Sequence, residues 1–276
     1  MQLKAFIKKK AEEKNISAQL VMQNYMMERL LERISLSKYK RNFILKGGFL
    51  ISAIVGLDTR TTMDLDTTVK GITLTKESMQ RIMTEICSVE VEDDVHFILL
   101  GVSDIREGEA YPGIRVALKA NYQPISVPLT VDITTGDVIT PEEIEYTFSL
   151  LFDERKINIF AYNLETVLAE KIETVLSRGI ANTRPRDYYD IHILYALRGT
   201  ECSDKVLRRA IEQTAQQRGS DKALEHYTEI LAAIRCSEQL QRFWEKYQHD
   251  FDYAKGISFE DVCNTVQKIM DRIKET

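Results

Sequence analysis

Residues 46–66 read KGGFLISAIVGLDTRTTMDLD, and this stretch decides how the rest of the chain is interpreted. Residues 43–45 before it are apolar and suit a short buried strand. The pair Gly47 and Gly48 then opens a segment of helical character. Because a helix N-terminus offers backbone N–H groups and partial positive charge, the stretch predicts a phosphate-binding turn.

The same stretch ends on two carboxylates, Asp64 and Asp66, with Leu65 between them. Side chains alternate along a strand, so extended backbone would place both carboxylates on one face and Leu65 in the core. Adjacent carboxylates repel each other, and a bound Mg²⁺ or Mn²⁺ removes that conflict. Neither feature is specific alone, since solvated aspartates at a strand end are common. Together they predict metal-assisted transfer to or from a nucleotide.

The bulk composition is that of an ordinary globular protein of one large or two smaller domains. The chain has 276 residues, a net charge of −5 and a pI of about 5.6, which argues against a surface that coats nucleic acid. Its four cysteines are far apart, which makes zinc and disulfide frameworks improbable and favours buried reduced thiols. There is no apolar run of membrane-spanning length and no signal-like N-terminus, so a cytoplasmic protein is expected.

The pattern along the chain changes once, near residue 160. Helices are predicted at residues 3–14, 18–34 and 76–89, strands at 96–102, 113–122 and 125–134, and a turn at 108–112. From Asn163, a predicted helix cap, the pattern is helical to the end, with helices at 187–197, 203–218, 222–234, 237–250 and 258–274. This predicts an α/β domain over residues 1–160 and a helical domain over 161–276.

A second set of charged residues lies at 169–190, AEKIETVLSRGIANTRPRDYYD. Lys171 and Arg178 are two helical turns apart and share a face, and Asp187 and Asp190 share a face of the next helix. The simpler interpretation is a solvated helix face, on which Lys171 contributes little to stability. Asp187 also suits a helix start, where its charge complements the macrodipole.

The order of these motifs resembles the AbiEii family of nucleotidyltransferase toxins. The resemblance is carried by the Gly pair, by the R-x-T-x-D-x-D run from Arg60 to Asp66, and by the later A-E-K, R and R-D-x-Y-D-I elements. It implies an α+β fold: a nucleotidyltransferase-like mixed β-sheet domain with helices, followed by a helical C-terminal domain. Phe49 departs from the family pattern, which has Thr or Ser there.

The resemblance also implies roles for individual residues. Asp132, between two β-branched residues on a predicted strand, becomes a third carboxylate beside the first two if its strand pairs in register. Asp190 either supports Lys171 or accepts the proton of the attacking hydroxyl. The implied residues are Asp64, Asp66, Lys171 and Asp190 for catalysis, Lys46, Gly47, Gly48, Arg60, Thr62 and Arg178 for nucleotide phosphate, and Asp64, Asp66 and Asp132 for the metal.

The implied function is a toxin that uses Mg²⁺ or Mn²⁺ to transfer a nucleoside monophosphate from an NTP to an acceptor. The expected acceptor is tRNA, the expected partner is a cognate antitoxin, and no membrane is involved. Short basic clusters, such as Lys40-Arg41 and Arg208-Arg209, offer weak RNA-backbone contacts. Two alternatives stay open: transfer to a small molecule or a protein hydroxyl, and a non-catalytic binding module, which Phe49 favours.

Overall fold

The computed structural model describes residues 2–105 and 113–275, so the turn expected at 108–112 lies outside the described residues. The chain divides into two compact units. The first contains Met1–Asp137 and Glu143–Ala161, and the second contains Val138–Glu142 and Tyr162–Thr276.

The first unit is built on a mixed sheet that contains seven strands within the described residues. The strands are β1 (Phe43–Lys46), β2 (Leu65–Val69), β3 (His96–Asp104), β4 (Gly113–Tyr122), β5 (Ile125–Thr135), β6 (Ile144–Ser149) and β7 (Lys156–Ala161). Their order across the sheet is β3-β4-β5-β2-β1-β7-β6. Strands β3 to β5 form an antiparallel meander, whereas β2 pairs with β5 and β1 with β7 in parallel. The predicted α+β fold with a mixed sheet is thereby confirmed.

Four helices accompany this sheet in the described residues: α1 (Gln2–Lys14), α2 (Ala18–Leu36), α3 (Gly47–Val55) and α4 (Lys76–Cys87). Ser17 caps α2, as expected, by accepting a hydrogen bond from the Leu20 N–H at 3.2 Å. The α2 side chains Met26 and Met27 are completely buried, so the methionines of this helix fill the core. A capping box between Thr75 and Ser78 fixes the start of α4.

Pro128 shows how the sheet tolerates a residue that cannot donate a backbone hydrogen bond. It lies within β5, which is an inner strand of the sheet. On one side it faces Lys119 of β4, but the pairing of β5 with β2 begins only at Val131. The first half of β5 therefore behaves as a local edge, where proline is accepted.

The second unit is helical. It contains α5 (Leu164–Arg178), α6 (Pro185–Arg198), α7 (Asp204–Arg218), α8 (Asp221–Glu225), α9 (Tyr227–Arg235), α10 (Glu238–Asp250) and α11 (Phe259–Lys274). The single helix predicted at 222–234 is wrong: the chain breaks between α8 and α9 around His226. Strand β6 was also missed from the sequence. Cys236 is exposed, contrary to the expectation that all four thiols are buried.

Asn163 lies just before α5 and makes two kinds of contact. Its side-chain oxygen accepts a hydrogen bond from the Thr166 N–H at 2.8 Å, which confirms the predicted cap of α5. Its side-chain amide donates to the carbonyls of Thr140 and Glu142 at 2.8 and 2.9 Å. These bonds explain why the segment Val138–Glu142 belongs to the helical unit although it precedes β6 in the chain.

Candidate active site

The turn from β1 into α3 is built around Gly47. Its φ of +67° is a left-handed value that glycine adopts without steric cost. A Cβ atom at this position would lie 2.0 Å from the Oδ2 atom of Asp66. The missing side chain therefore lets the second carboxylate of the D-x-D motif lie directly against the backbone of the helix start.

The second glycine brings the other residues of the motif to the same place. A Cβ atom on Gly48 would lie 2.9 Å from Thr62 Oγ1 and 3.2 Å from Arg60 Nη2. Arg60 is buried, and its guanidinium donates a hydrogen bond to the carbonyl of Thr61. The predicted phosphate-binding residues Gly47, Gly48, Arg60 and Thr62 thus lie together with Asp66.

Two amide side chains of α2 hold the loop that leads into β2. Asn24 donates from Nδ2 to the carbonyl of Thr62 at 3.1 Å, and Gln23 donates from Nε2 to the carbonyl of Met63 at 2.9 Å. Both amides are buried, so these bonds are shielded from competing water. They position the backbone just before Asp64. Sequence reasoning missed both residues, because a polar pair on an amphipathic helix carries no signal for such a contact.

The D-x-D motif shows the expected alternation. Leu65 is completely buried, whereas Asp64 before it is exposed and Asp66 after it is partly exposed. Leu65 begins β2, so the alternation follows from the strand geometry. Both carboxylates are therefore on the side of the strand away from the Leu65 side chain.

Lys46, which is predicted to bind phosphate, forms an ion pair within the first unit. Its Nζ atom lies 2.6 Å from Oδ2 of Asp137, which also accepts a hydrogen bond from Thr134 Oγ1 at 2.7 Å. Burial raises the pKa of Asp137, but the charge and hydrogen bond of Lys46, together with hydrogen bonds from Thr134 and Thr68, lower it by more, so the net pKa is lowered. Asp137 follows β5, and nothing in the sequence links it to Lys46.

Asp132 lies where the register argument required. In the pairing of β2 with β5 it is directly opposite Asp66, and on its other side it faces Arg115 of β4. Arg115 binds it with two hydrogen bonds, Nε to Oδ1 at 2.8 Å and Nη2 to Oδ2 at 2.7 Å. Hydrogen bonding to Asp132, together with the charges of Asp132, Asp64 and Asp66, raises the pKa of the Arg115 guanidinium. All three carboxylates therefore act on one arginine, which the sequence did not indicate.

The donor set fits a divalent cation through two carboxylates rather than three. Asp64 and Asp66 supply oxygen ligands, and Mg²⁺ is commonly held by one or two carboxylates together with substrate phosphates. The guanidinium of Arg115 shows that positive charge is stabilised beside these carboxylates. Both oxygens of Asp132, however, are paired with Arg115. Within residues 2–105 and 113–275, no group of three or more His, Cys, Asp or Glu side chains is arranged to hold a metal, so the predicted three-aspartate set is not assembled.

Phe49 is a core residue. It is buried and stacks on Phe148 of β6 with ring centroids 5.7 Å apart and an interplanar angle of 10°. The ring therefore packs inside the first unit instead of lining the phosphate-binding turn. The departure at Phe49 removes a hydroxyl, but its side chain does not fill the turn.

In the second unit, the predicted pair Lys171 and Asp190 is brought together. Lys171 Nζ lies 3.0 Å from Oδ2 of Asp190 and 2.6 Å from Oδ1 of Asp187. The side chains of Asp187 and Asp190 are 3% and 0% exposed, and that of Lys171 is 18% exposed. The expectation that Lys171 lies on a solvated face and contributes little to stability is therefore wrong, because it is a counter-ion of two buried carboxylates.

Arg178 is the last residue of α5 and is partly exposed. It makes no ion pair within the part of the chain that the structure describes. Its position, two turns after Lys171 on the same helix, is that expected from the sequence. The geometry leaves its guanidinium available to an anion.

Comparisons with solved structures agree with the fold. Two solved structures from Helicobacter pylori share the fold: a candidate nucleotidyltransferase at 15% identity with a TM-score of 0.51, and JHP933 at 13% identity with a TM-score of 0.50. The first alignment covers 94% of this chain and 98% of the other, and the second covers 94% and 95%. A search among curated proteins finds no match. Among the described residues, none of the helices has the length and apolarity to span a bilayer.

The sequence motifs identify the family. The family model described as "Nucleotidyl transferase AbiEii toxin, Type IV TA system" matches residues 29–266, which include the Gly pair, the D-x-D motif and the Lys171 region. This is nearly the whole chain. The chain belongs to the AbiEii nucleotidyltransferase toxin family.

Proposed function

We propose that this protein transfers a nucleoside monophosphate from an NTP to a hydroxyl group of tRNA, with a divalent cation held by Asp64 and Asp66. The observation that carries the proposal is the packing of the Gly47-Gly48 turn against Asp66 and Thr62. A helix start suited to phosphate and a carboxylate suited to a metal are thereby in direct contact. Few non-catalytic roles need these two features at one point.

The residues of the first unit divide the work of binding a triphosphate. Backbone N–H groups at the start of α3 face the phosphates, and Thr62 adds a hydroxyl beside them. Asp64 and Asp66 would hold the cation, which would supply positive charge to the phosphates. The acceptor hydroxyl loses its proton to solvent as its oxygen bonds to the α-phosphorus, the α–β phosphoanhydride bond breaks, and pyrophosphate leaves with the electron pair.

Lys171, Asp190 and Arg178 remain proposed functional residues through the family motif. Lys171 is a point charge for a phosphate group, and Arg178 is a fork-shaped donor. Since Asp190 contacts Lys171 at 3.0 Å, its better supported role is to position that ammonium group. A test of Lys171 in catalysis needs the Lys171→Arg variant, which keeps the charge that the two buried carboxylates require.

RNA as the acceptor is supported by the family and less by the basic clusters of the sequence. Lys40 is paired with Glu145 at 2.7 Å, and Arg208 is paired with Glu212 at 2.9 Å. These contacts neutralise part of the charge that an RNA backbone would need. We propose tRNA on the family resemblance, and a cognate antitoxin as partner on the toxin–antitoxin description of the family.

The test is incubation of the purified protein with each α-labelled NTP, total RNA and Mg²⁺ or Mn²⁺. Label is expected in RNA of tRNA size, with one NTP preferred, and Asp66→Asn should abolish the labelling. Lys246→Met, at an exposed lysine of α10 outside the proposed ligands, is a folding control. Label in protein or in small molecules would support the alternative acceptors. No label with any NTP under either metal would contradict the proposed function.

Phe49 no longer favours the alternative of a non-catalytic binding module. Phe49 packs in the core against Phe148, so it is no sign of a degraded phosphate site. A binding module would retain its partner affinity in the Asp66→Asn variant. The transfer assay therefore separates the two functions directly.

A further inference from the structure

Four neighbouring strands carry a continuous row of charged side chains. Lys46 of β1 is opposite Asp66 of β2, Asp66 is opposite Asp132 of β5, and Asp132 is opposite Arg115 of β4. Residues paired across a sheet point to the same face, so these four side chains are neighbours. The signs along the row are plus, minus, minus, plus. The two aspartates in the middle are the proposed metal ligand Asp66 and the third carboxylate.

Arg115, at the end of this row, forms a bidentate pair with Asp132. Its planar fork binds both oxygens of Asp132, at 2.8 and 2.7 Å, which is the strongest geometry available to an arginine and a carboxylate. The Arg115 side chain is 52% exposed, whereas that of Asp132 is 19% exposed. A guanidinium stays protonated at any ordinary pH, so this positive charge is permanent.

The position of the pair is informative beyond its contribution to folding. Most surface ion pairs contribute little to stability, and bidentate geometry makes this one stronger than most. Its place beside Asp66 is better explained by the charge of the carboxylates. Three aspartates act on Arg115. Without a cation among them, they would repel one another.

We propose that Arg115 is a positioning residue that competes with the divalent cation for Asp132. In the nucleotide-free protein, Arg115 holds both oxygens of Asp132 and keeps this carboxylate out of a metal site formed by Asp64 and Asp66. Asp132 joins the metal site only when Arg115 releases it. Metal affinity is therefore kept low until the phosphates of an NTP supply further oxygen ligands. The inference rests on the proposed function, because it assigns the metal to the same aspartates.

Affinity for Mn²⁺ without nucleotide tests this competition, measured by electron paramagnetic resonance or calorimetry on the full chain. The Arg115→Met variant should bind Mn²⁺ roughly tenfold more tightly than the parent, since the metal no longer competes with a bidentate charged pair. Lys119→Met is the matched control. It removes the same charge from an exposed residue of β4, four positions further along the same face. It should change the affinity by less than about twofold, because it is distant from Asp132.

A third variant separates the role of Asp132 from a general effect of charge. Adding Asp132→Asn to Arg115→Met should remove the gain in affinity, because the carboxylate that Arg115 released is then absent. Arg115→Gln, whose side chain is polar and compatible with an exposed strand, repeats the measurement if the methionine variant folds poorly. Circular dichroism establishes that each variant is folded.

Three results would overturn the inference. They are Mn²⁺ binding by both Arg115 variants no tighter than that of the parent, an equal gain in Lys119→Met, and an absence of Mn²⁺ binding in all variants. None of these measurements contains an NTP or RNA. If the parent transfers nucleotide but the Arg115 variants gain no affinity, only the competition is refuted. If they gain affinity but no protein transfers nucleotide, the proposed function fails instead.

Discussion

Replacing Lys171 with methionine should destabilise the second unit strongly. Lys171 lies 2.6 and 3.0 Å from the carboxylates of Asp187 and Asp190, which are almost fully buried. Methionine keeps most of the aliphatic stem but removes the charge, which leaves two buried carboxylates without this counter-ion. Breaking a buried pair in this way costs about 3–5 kcal/mol. We expect the free energy of unfolding to fall by that amount.

Urea denaturation followed by the fluorescence of Trp244 measures this change. Trp244 is the single tryptophan of the chain and is buried in α10 of the same unit. The expected loss of stability should lower the urea midpoint by about 2 M. Lys246→Met, at an exposed lysine of α10, removes a charge without breaking a buried pair and should stay within about 0.5 kcal/mol of the parent.

A double-mutant cycle tests whether the loss of stability comes from the unpaired carboxylates. Adding Asp190→Asn to Lys171→Met removes one of the two buried charges, so part of the lost stability should return, and the coupling energy reports the pair directly. A Lys171→Met variant as stable as Lys246→Met would contradict the counter-ion role of Lys171. A double variant less stable than Lys171→Met would contradict it as well.

Three further predictions follow from the first unit. Expression of the protein alone should arrest growth, and Asp64→Asn should relieve the arrest at an unchanged level of soluble protein; continued arrest at matched expression would favour a binding module. Gly47→Ala should be more destabilising than Gly219→Ala in thermal melts, because both glycines have nearly the same φ (+67° and +66°) but only Gly47 would clash with Asp66. The strain alone is about 1–2 kcal/mol, and equal losses in the two variants would show that the contact with Asp66 does not matter. Burial raises the pKa of Glu28 from 4.5 to about 8. Glu28 is therefore protonated in the folded state at neutral pH. Its contribution to stability is complete below pH 4.5 and is lost as the pH rises through 8. The free energy of unfolding, measured by denaturation between pH 5 and 9, should depend less on pH for Glu28→Gln than for the parent, and parallel curves for the two proteins would contradict the raised pKa of Glu28.

Local features of the chain were predictable from sequence because their physics is local. The alternation of Asp64, Leu65 and Asp66 follows from strand geometry over three residues. The caps at Ser17 and Asn163 follow from side chains that reach a backbone N–H three positions away. The family assignment rests on the same kind of information, since its motifs are short and ordered along the chain.

Other features required contacts between residues far apart in sequence. The pairing of β2 with β5 places Asp132 beside Asp66. Helix α4 and two other strands separate β2 from β5 in the chain, so the sequence alone could not establish this pairing. The partner of Lys46 is Asp137, 91 positions later, and a loop aspartate carries no mark of such a partner. Burial also depends on the whole unit, which is why Lys171 was expected on a solvated face.

Arg115 shows most clearly the difference between features set by local sequence and features set by tertiary contacts. In the sequence it is one polar residue on an alternating strand, and a solvated position is the natural expectation for it. Strand pairing sets it opposite Asp132 and, through Asp132, beside Asp66. Residue types and secondary structure depend on neighbours along the chain, so both could be predicted from the sequence. The pairing of charges depends on distance in space and on exclusion from water, so it became visible only in the folded protein.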